Sequence, residues 1–346
     1  LGIAGALQGS FDLQVLAPND RPGETTKTRF AYHVVGSRNP FARYYSRALA
    51  GEIRRRVRAD RPRFVIASLY MSGLTVARAL RSTSVPLVLD HHNVEHQRFR
   101  TMGRPLVARA MRRYERWLFR RSSLIVVVSE DDRQGLRAMG VQDGKLVVVP
   151  NGFDPKQFRF DPARGAQVRT ELGLTPTDKA VLFFGKLDYA PNRDAVLKIL
   201  DVARAFADRP EIRFLIAGAN LGPMSLPDNV TYLGAVKSTA DLLQAADLVL
   251  APLSSGGGTK LKVIEALATG RTVLTSPVGV EGLGADIAAV CHICTNGDWE
   301  SGLRALLPSS RFGASPSVAQ ERAVRPFEWD VVVQPLVHRL AGFPAS

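Results

Sequence analysis

Cysteine is nearly missing from this 346-residue chain: only Cys291 and Cys294 occur, as a single CxxC. With no second pair and no histidine pair at ligand spacing they make no zinc set, and Thr295 after Cys294 breaks the haem-attachment pattern. The two thiols are expected to be small apolar residues in or beside a strand, and so few of them fit a reducing compartment. Long apolar runs are lacking too; none approaches the ~18–20 residues that span a bilayer. No charged-then-apolar leader is visible, and the chain starts at Leu1 rather than Met, which lowers the weight of that absence. The phosphate-binding strings GxxxxGK[ST] and GxGxxG are both absent. Acidic residues are scarce, 32 against 46 basic ones, for a net charge of +14.

The excess charge is clustered. Residues 98–121 hold nine arginines and one glutamate. Leu106, Ala110, Tyr114, Trp117 and Leu118 recur there at helical spacing, which predicts an amphipathic helix with a cationic outer face. A second run comprises Arg54, Arg55, Arg56, Arg58, Arg61 and Arg63. Two explanations stand side by side: docking on an anionic membrane through the 98–121 helix, or the solvated face of an arginine-rich chain. Nucleic acid is not expected, since the basic stretches carry neither zinc-finger spacing nor an RNA-binding aromatic signature. The expected location is cytoplasmic, with peripheral attachment to the inner face of the plasma membrane if the first explanation holds.

Hydrophobic residues make up 45% of the chain and charged ones 23%, ordinary values for a globular protein long enough for two domains. Short β-rich runs alternate with helical stretches. Strands are predicted at Phe11–Leu16, Phe64–Ser68, Leu87–Asp90, Leu124–Ser129 and Leu146–Pro150. Five more follow at Val181–Gly185, Phe214–Gly218, Leu248–Pro252, Thr272–Ser276 and Ala288–His292. Helices are predicted at Ala42–Arg58, Asp131–Met139, Arg193–Ala207 and Thr239–Ala245. Several strands are unbroken Val/Ile/Leu runs, the mark of burial on both faces, so the fold class is α/β with doubly wound parallel sheets. The Pro150-Asn151-Gly152 turn divides the chain into domains at 1–150 and 151–318. A helical tail at 319–346 is expected to cross back to the first.

Three clusters carry chemistry. In residues 251–270 a strand ends, a loop of three glycines follows, and a helix opens near Lys260 and stops at Gly270. Such a loop exposes unpaired N–H groups and the positive end of the helix dipole, to which Lys260 and Lys262 add two charges. That suits a phosphate or diphosphate, with Glu265 one turn on and within reach of a neighbouring hydroxyl. The plain alternative, a mobile loop and an ordinary amphipathic helix, leaves three glycines and two lysines at one turn unexplained. In residues 85–100 a buried strand ends at Asp90 and releases His91, His92, Asn93, Glu95 and His96, where doubly wound sheets bind ligands. The string His92 to His96 also matches the inverted zinc-protease pattern, but no third carboxylate ligand follows it. Local capping of the strand end is the simpler alternative. In residues 181–195 a strand ends at Gly185, followed by Lys186, a Pro-Asn turn and Arg193, cations again aimed at an anion beyond a strand end.

Taken in order, these clusters make the chain resemble the family 4 glycosyltransferases of the GT-B fold, closest to the bacterial branch acting on exopolysaccharide or cell-surface sugars. The strings that carry the resemblance are LVLDHHNVEH, SLIVVVSEDDRQGL, VVVPNGFD, FFGKLDYAPNRDAV, FLIAGAN, VTYLGAV with AADLVLAPL, and GGGTKLKVIEALATGRTVLTSPVGVEGL. The resemblance implies two facing Rossmann-like domains with a cleft between them. It also implies a metal-independent, cofactor-free transfer that retains anomeric configuration. The donor is a nucleotide-sugar of UDP or GDP type and the acceptor a glycan or lipid-linked glycan. By position, His92, Lys186 and Lys262 take catalytic roles. Gly258, Thr259, Lys260, Glu265, Arg193, Gly218 and Val236 hold the donor, and Asn93 and Glu95 lie on the acceptor side.

Three departures stand out. Gly257 occupies the place of the first glutamate of the family's E-x7-E motif. Lys186 replaces an arginine, exchanging a planar fork for a point charge. The first N-terminal strand and its glycine loop are expected to be missing, Leu1–Gly9 matching the helix that follows them. Two other functions therefore remain open: an inactive sugar-nucleotide-binding protein, and a nucleotide-sugar epimerase of the same fold.

Overall fold

A computed structural model describes residues 2–19, 31–36, 45–91, 94–256 and 259–344. The chain forms two compact units, one of residues 1–150 with 332–346 and the other of residues 151–331. The tail expected as one piece from 319 is therefore divided at 331/332.

The first unit opens with α1 (Gly2–Leu7). A two-stranded parallel sheet follows, β1 (Gln14–Asn19) on β2 (Ala31–Gly36). β1 starts three residues later than predicted because the Phe11 ring is used elsewhere, packed edge-on against Phe64 at 5.3 Å. β2 was not anticipated. A parallel four-stranded sheet is built from β3 (Val65–Ser68), β4 (Leu87–Asp90), β5 (Leu124–Val127) and β6 (Leu146–Val148) in sequential order. Every residue of β4 and β5 is buried, as unbroken aliphatic runs require. The covering helices are α2 (Arg47–Asp60), α3 (Leu69–Ala79), α4 (Glu95–Thr101), α5 (Pro105–Arg121) and α6 (Glu130–Ala138). Leu49, Ile53, Val76, Leu118 and Leu136 from these helices close over Leu89, Ile125 and Val127. Each such buried side chain contributes roughly 1.5–3 kcal/mol.

The basic stretch 98–121 is thus two helices, broken at Met102-Gly103-Arg104, where Gly103 takes φ 71°. The predicted apolar face holds for its second half, where Leu118 is buried and Tyr114 and Trp117 pack against the core, and is corrected in its first half. Ala108, Glu115, Leu118 and Phe119 point inward, whereas Leu106 is 76% exposed and Ala110 is exposed.

The second unit begins with α7 (Pro162–Glu171) and centres on six parallel strands. These are β7 (Lys179–Phe184), β8 (Ile212–Ala217), β9 (Val230–Gly234), β10 (Leu248–Ala251), β11 (Thr272–Thr275) and β12 (His292–Ile293), in spatial order 9-8-7-10-11-12. That is the doubly wound order, with its reversal between β7 and β10. Alternate residues feed two cores: Leu182 and Phe184 meet α9 (Thr239–Ala245) and α10 (Leu261–Ala268), while Val181 and Phe183 meet α8 (Ala190–Arg204). β9, an edge strand, was anticipated only as part of a family string. The predicted strand Ala288–His292 is mostly helix. α11 (Pro277–Val280) is followed by α12 (Ala285–Val290), whose alanines favour a helix and whose Ile287 faces the core, leaving only two residues to the strand.

Cys291 and Cys294 flank that short strand as free thiols, and burial pushes Cys291 up to about 12. α13 (Trp299–Leu306) and α14 (Val318–Val324) complete the cover. α15 (Trp329–Val332) and α16 (Gln334–Ala341) carry the chain into the first unit, where Arg63 donates to Ala341 O at 2.8 Å. Arg271, fully buried, donates to the carbonyls of Thr269, Ala246, Arg311 and Ala314 and pins the turn after α10.

Candidate functional site

Strands β7 and β10 pair only through Leu248–Val181 and Val249–Leu182, so they part towards their carboxyl ends. Parting at the reversal point of a doubly wound sheet opens the crevice where such sheets bind ligands. At the end of β7 the backbone turns through Gly185, which has φ 156°, and at the end of β8 through Gly218, with φ 142°. A Cβ on Gly218 would lie 1.8 Å from Gly185 O, so the two turns approach to a distance that only glycine permits. Lys186 follows, its side chain 74% exposed and 3.6 Å from Asp188. α8 then starts, with Arg193 exposed in its first turn.

The second part of the crevice comes from β10. Ser276 Oγ donates to Leu253 O, and Thr275 Oγ1 to Ala251 O, fixing where the glycine loop departs. Gly257 and Gly258 lie outside the described residues. Thr259 Oγ1 accepts from the Asn151 amide at 3.2 Å. Lys260, at the N-cap of α10, is buried and donates to Gly256 O at 2.9 Å, so its charge braces the loop. Lys262, in the first turn of α10, crosses to the β7 side. Its Nζ donates to Asn192 Oδ1 at 2.7 Å and lies 4.2 Å from the centre of the Phe183 ring.

Burial pushes Lys262 down to about 7, against the pull of Glu265, and pushes Glu265 up to about 7, against the pull of Lys262. Both directions have one cause, the withdrawal of water from a charged group. Two further candidates belong to the ends of β8 and β9: Gly218 O accepts from Tyr232 Oη at 2.8 Å, and Val236 is half-buried against the core. Of the residues picked from sequence, Lys186, Arg193, Gly218, Thr259, Lys260, Lys262 and Glu265 therefore lie around the carboxyl edge of one sheet.

His92 and Asn93 lie outside the described residues. Their flanks are held by Glu115, which is fully buried on α5. The Glu115 carboxylate accepts from Glu95 N at 2.7 Å, meets His96 Nδ1 at 2.7 Å and stands 3.4 Å from His91 Nε2. Burial alone would raise the Glu115 pKa; the attraction of His91 and the hydrogen bond and attraction of His96 outweigh it and hold the carboxyl below its usual range. Glu95, expected on the acceptor side, is buried. The helix there begins only at Glu95, so it does not carry both histidines of the protease-like string.

Two residues escaped the sequence reading, Glu115 and Asn192. Glu115 is the lone acid among nine arginines, a signal that could have marked it as inward-facing. Asn192 lay inside the Pro-Asn turn and was passed over for Arg193.

On the outer side of α5, Arg104, Arg109, Arg112, Arg113, Arg116 and Arg120 are exposed. Beside them Met102, Leu106 and Val107 are 57%, 76% and 42% exposed. The second arginine run is differently used: Arg55 and Arg56 bind Glu52, and Arg63 binds the C-terminal segment. Among the described residues no helix is long and apolar enough to cross a membrane.

Two parallel-sheet α/β units, the second a doubly wound sheet whose strand order reverses between β7 and β10, define the GT-B fold. Family models agree over most of the length: Glycosyltransferase Family 4 matches residues 2–157 and Glycosyl transferases group 1 matches residues 178–307. The chain belongs to the family 4 glycosyltransferases.

A D-inositol 3-phosphate glycosyltransferase of Segniliparus rotundus is 34% identical over 151 residues, 39% of this chain and 32% of that protein. The chain thus spans about a third of that relative's length. Among solved structures, Anabaena Alr3699/HepE in complex with UDP and glucose aligns with TM-score 0.65 at 18% identity, over 90% of this chain and 86% of its own. Sucrose-phosphate synthase of Thermosynechococcus elongatus aligns with TM-score 0.72 at 15% identity, over 98% and 91%. These likenesses establish the fold.

Proposed function

We propose that this chain transfers a sugar from a nucleoside-diphosphate sugar to an acceptor hydroxyl, with retention and without a resident metal. The observation that carries this reading is the carboxyl edge of the second sheet. There Lys186, Arg193 and Lys262, the opening of α10 and the carboxyl of Glu265 are supplied by two separate strand-to-helix turns. As the bond from the sugar to the diphosphate breaks, negative charge grows on the leaving phosphate. Lys262, Lys186 and the α10 N-terminus meet that charge, and interactions that strengthen as charge develops lower the barrier. Glu265 takes a ribose hydroxyl. UDP is the first base to try, because HepE is described with UDP and glucose. His92 acts beside the reacting sugar, as the family resemblance implies.

Calorimetry of UDP, GDP and their sugar conjugates against the parent chain and Glu265→Ala tests the donor site. Saturable binding of one nucleotide, lost in the variant, is expected; no binding to any overturns the reading. A transfer assay follows with inositol phosphate, the acceptor in the relatives' name, and with lipid-linked glycans, in the presence and absence of EDTA. EDTA is expected to leave turnover unchanged. His92→Ala is expected to lower turnover while leaving donor affinity within about twofold. Donor hydrolysis or isomerisation without any acceptor would instead favour the epimerase.

The outer face of α5 is proposed to dock on anionic lipid. The exposed apolar Met102, Leu106 and Val107 enter the headgroup boundary while the surrounding arginines meet phosphate, each near-surface cation adding about 1 kcal/mol. Sedimentation with phosphatidylglycerol vesicles is expected to fall with salt and with Leu106→Ser/Val107→Ser. Binding indifferent to lipid charge removes the idea.

A further inference from the structure

Asn192 is the buried polar residue of the crevice that the donor-site assignment leaves without a role. It lies in the first turn of α8 at 9% exposure. Asparagine near a helix start ordinarily caps it by accepting a backbone N–H. Here both ends of the carboxamide are spent elsewhere. Nδ2 donates to Lys186 O at 2.9 Å, and Oδ1 accepts from Lys262 Nζ at 2.7 Å. The neighbouring glycine makes room for the pair: a Cβ on Gly185 would fall 2.8 Å from Asn192 Nδ2 and 3.3 Å from Lys262 Nζ.

The pair joins two elements distant in sequence, the β7–α8 turn and α10. The contacts at Nζ are neutral, the Asn192 amide oxygen and the Phe183 ring, while Glu265 attracts the ammonium from farther off on α10. An amide oxygen and the face of Phe183 hold an ammonium in place and leave its charge to be met by something else. An aspartate in the same place would hold it equally well and cancel it.

We propose that Asn192 is a positioning residue of the donor-phosphate site: anchored on the Lys186 carbonyl, its neutral carboxamide holds Lys262 Nζ at the carboxyl edge of β7, so that an incoming diphosphate supplies the ammonium with a charged partner in contact. The inference rests on the donor-site reading above. Asn192 touches no reacting atom in this scheme and works through Lys262. Its hydrogen bond favours the charged amine, so its removal makes Nζ a weaker base. The charged groups on the elements packed around Nζ are Glu265 on α10, and Lys186, Asp188 and Arg193 on the turn and start of α8. Glu265→Gln, titrated alongside, separates the ionisation of the one group that shares the Lys262 range.

UDP, with GDP in parallel, is titrated by calorimetry at pH 6, 7 and 8 into the parent, Asn192→Ala, Lys262→Met and the double variant, each checked by thermal melting. Asn192→Ala is expected to weaken nucleotide binding about tenfold at pH 7, the worth of one hydrogen bond to a charged group. The loss shrinks at pH 6, where the weaker base regains its proton. In the Lys262→Met background the same substitution adds less than twofold, because two residues acting as one unit are not additive. Asn192→Asp, close in shape, weakens binding at all three pH values and serves where the alanine variant melts early. A loss from Asn192→Ala that is equal at every pH and in both backgrounds marks a mere brace and overturns the proposal. If the parent binds neither nucleotide, or Lys262→Met binds like the parent, the donor-site reading falls and takes this inference with it.

Discussion

Raising the pH from 7 to 9 is expected to weaken nucleotide binding ten- to fiftyfold, and the reasoning is confined to one side chain. Lys262 is half-buried, and the loss of water around it lowers it to about 7 in the unliganded protein. With a diphosphate against Nζ the ammonium returns towards the ordinary lysine value of about 10.4. Between pH 7 and pH 9 the charged fraction of the free site falls from about a half to about one hundredth, a fiftyfold loss worth about 2.3 kcal/mol. Glu265 offsets part of it, because its carboxylate, formed over the same range, favours the Lys262 charge. The nucleotide does not confound the window, since terminal phosphates lose their last proton near pH 6.

The assay is calorimetry at constant ionic strength in two buffers of different ionisation enthalpy. Uptake of about half a proton on binding at pH 7 and about nine tenths at pH 8 is expected. Unliganded stability runs the other way. A depressed lysine means that the unfolded chain holds more protons between pH 7 and 10.5, so the Lys262 contribution to folding stability rises as pH rises through that window. A dissociation constant flat from pH 7 to 9, with no proton uptake, would refute the placement of Lys262 against phosphate.

Other predictions address the frame. Gly218→Ala places a methyl 1.8 Å from Gly185 O at a backbone φ of 142°, so a loss of about 2 kcal/mol or more in urea unfolding is expected, together with loss of nucleotide binding. An unchanged denaturation midpoint would show that the two turns are not in contact. Glu115→Ala strips His91, His96 and the Glu95 amide of their shared buried acceptor. A cost of about 3–5 kcal/mol is expected, and Glu115→Gln, which still accepts from the amide, should cost less. Equal stability of the two variants in chemical denaturation would show that the acceptor that glutamine keeps for the Glu95 amide is idle.

Unbroken aliphatic runs such as Leu87–Asp90 and Leu124–Val127 had only one stable use, parallel strands covered on both faces, so the doubly wound class was legible before any coordinates. The helix start at α10, with Lys262 and Glu265 on it, was equally legible, because a helix start after a strand end is a local arrangement. Where local preference and tertiary demand diverged, sequence reading went astray. Ala288 and Ala289 suit a helix whose Ile287 faces the core, although the stretch resembles a strand end. In α5 the apolar spacing named Tyr114, Trp117 and Leu118 correctly but also Leu106 and Ala110, which are exposed, and it passed by Ala108 and Glu115, which are buried.

The sequence by itself determined the fold class, the family and the residue types gathered at the carboxyl edge of the second sheet, since each is written in short-range patterns of hydrophobicity, glycine and charge. Only the tertiary structure decided which partners those residues take: that Lys260 turns back on its own loop, that Lys262 crosses to Asn192, and that the lone acid of a basic helix is buried among histidines. Those pairings join residues as much as seventy positions apart, and chain separation carries no trace of them until the sheets bring the strand ends side by side.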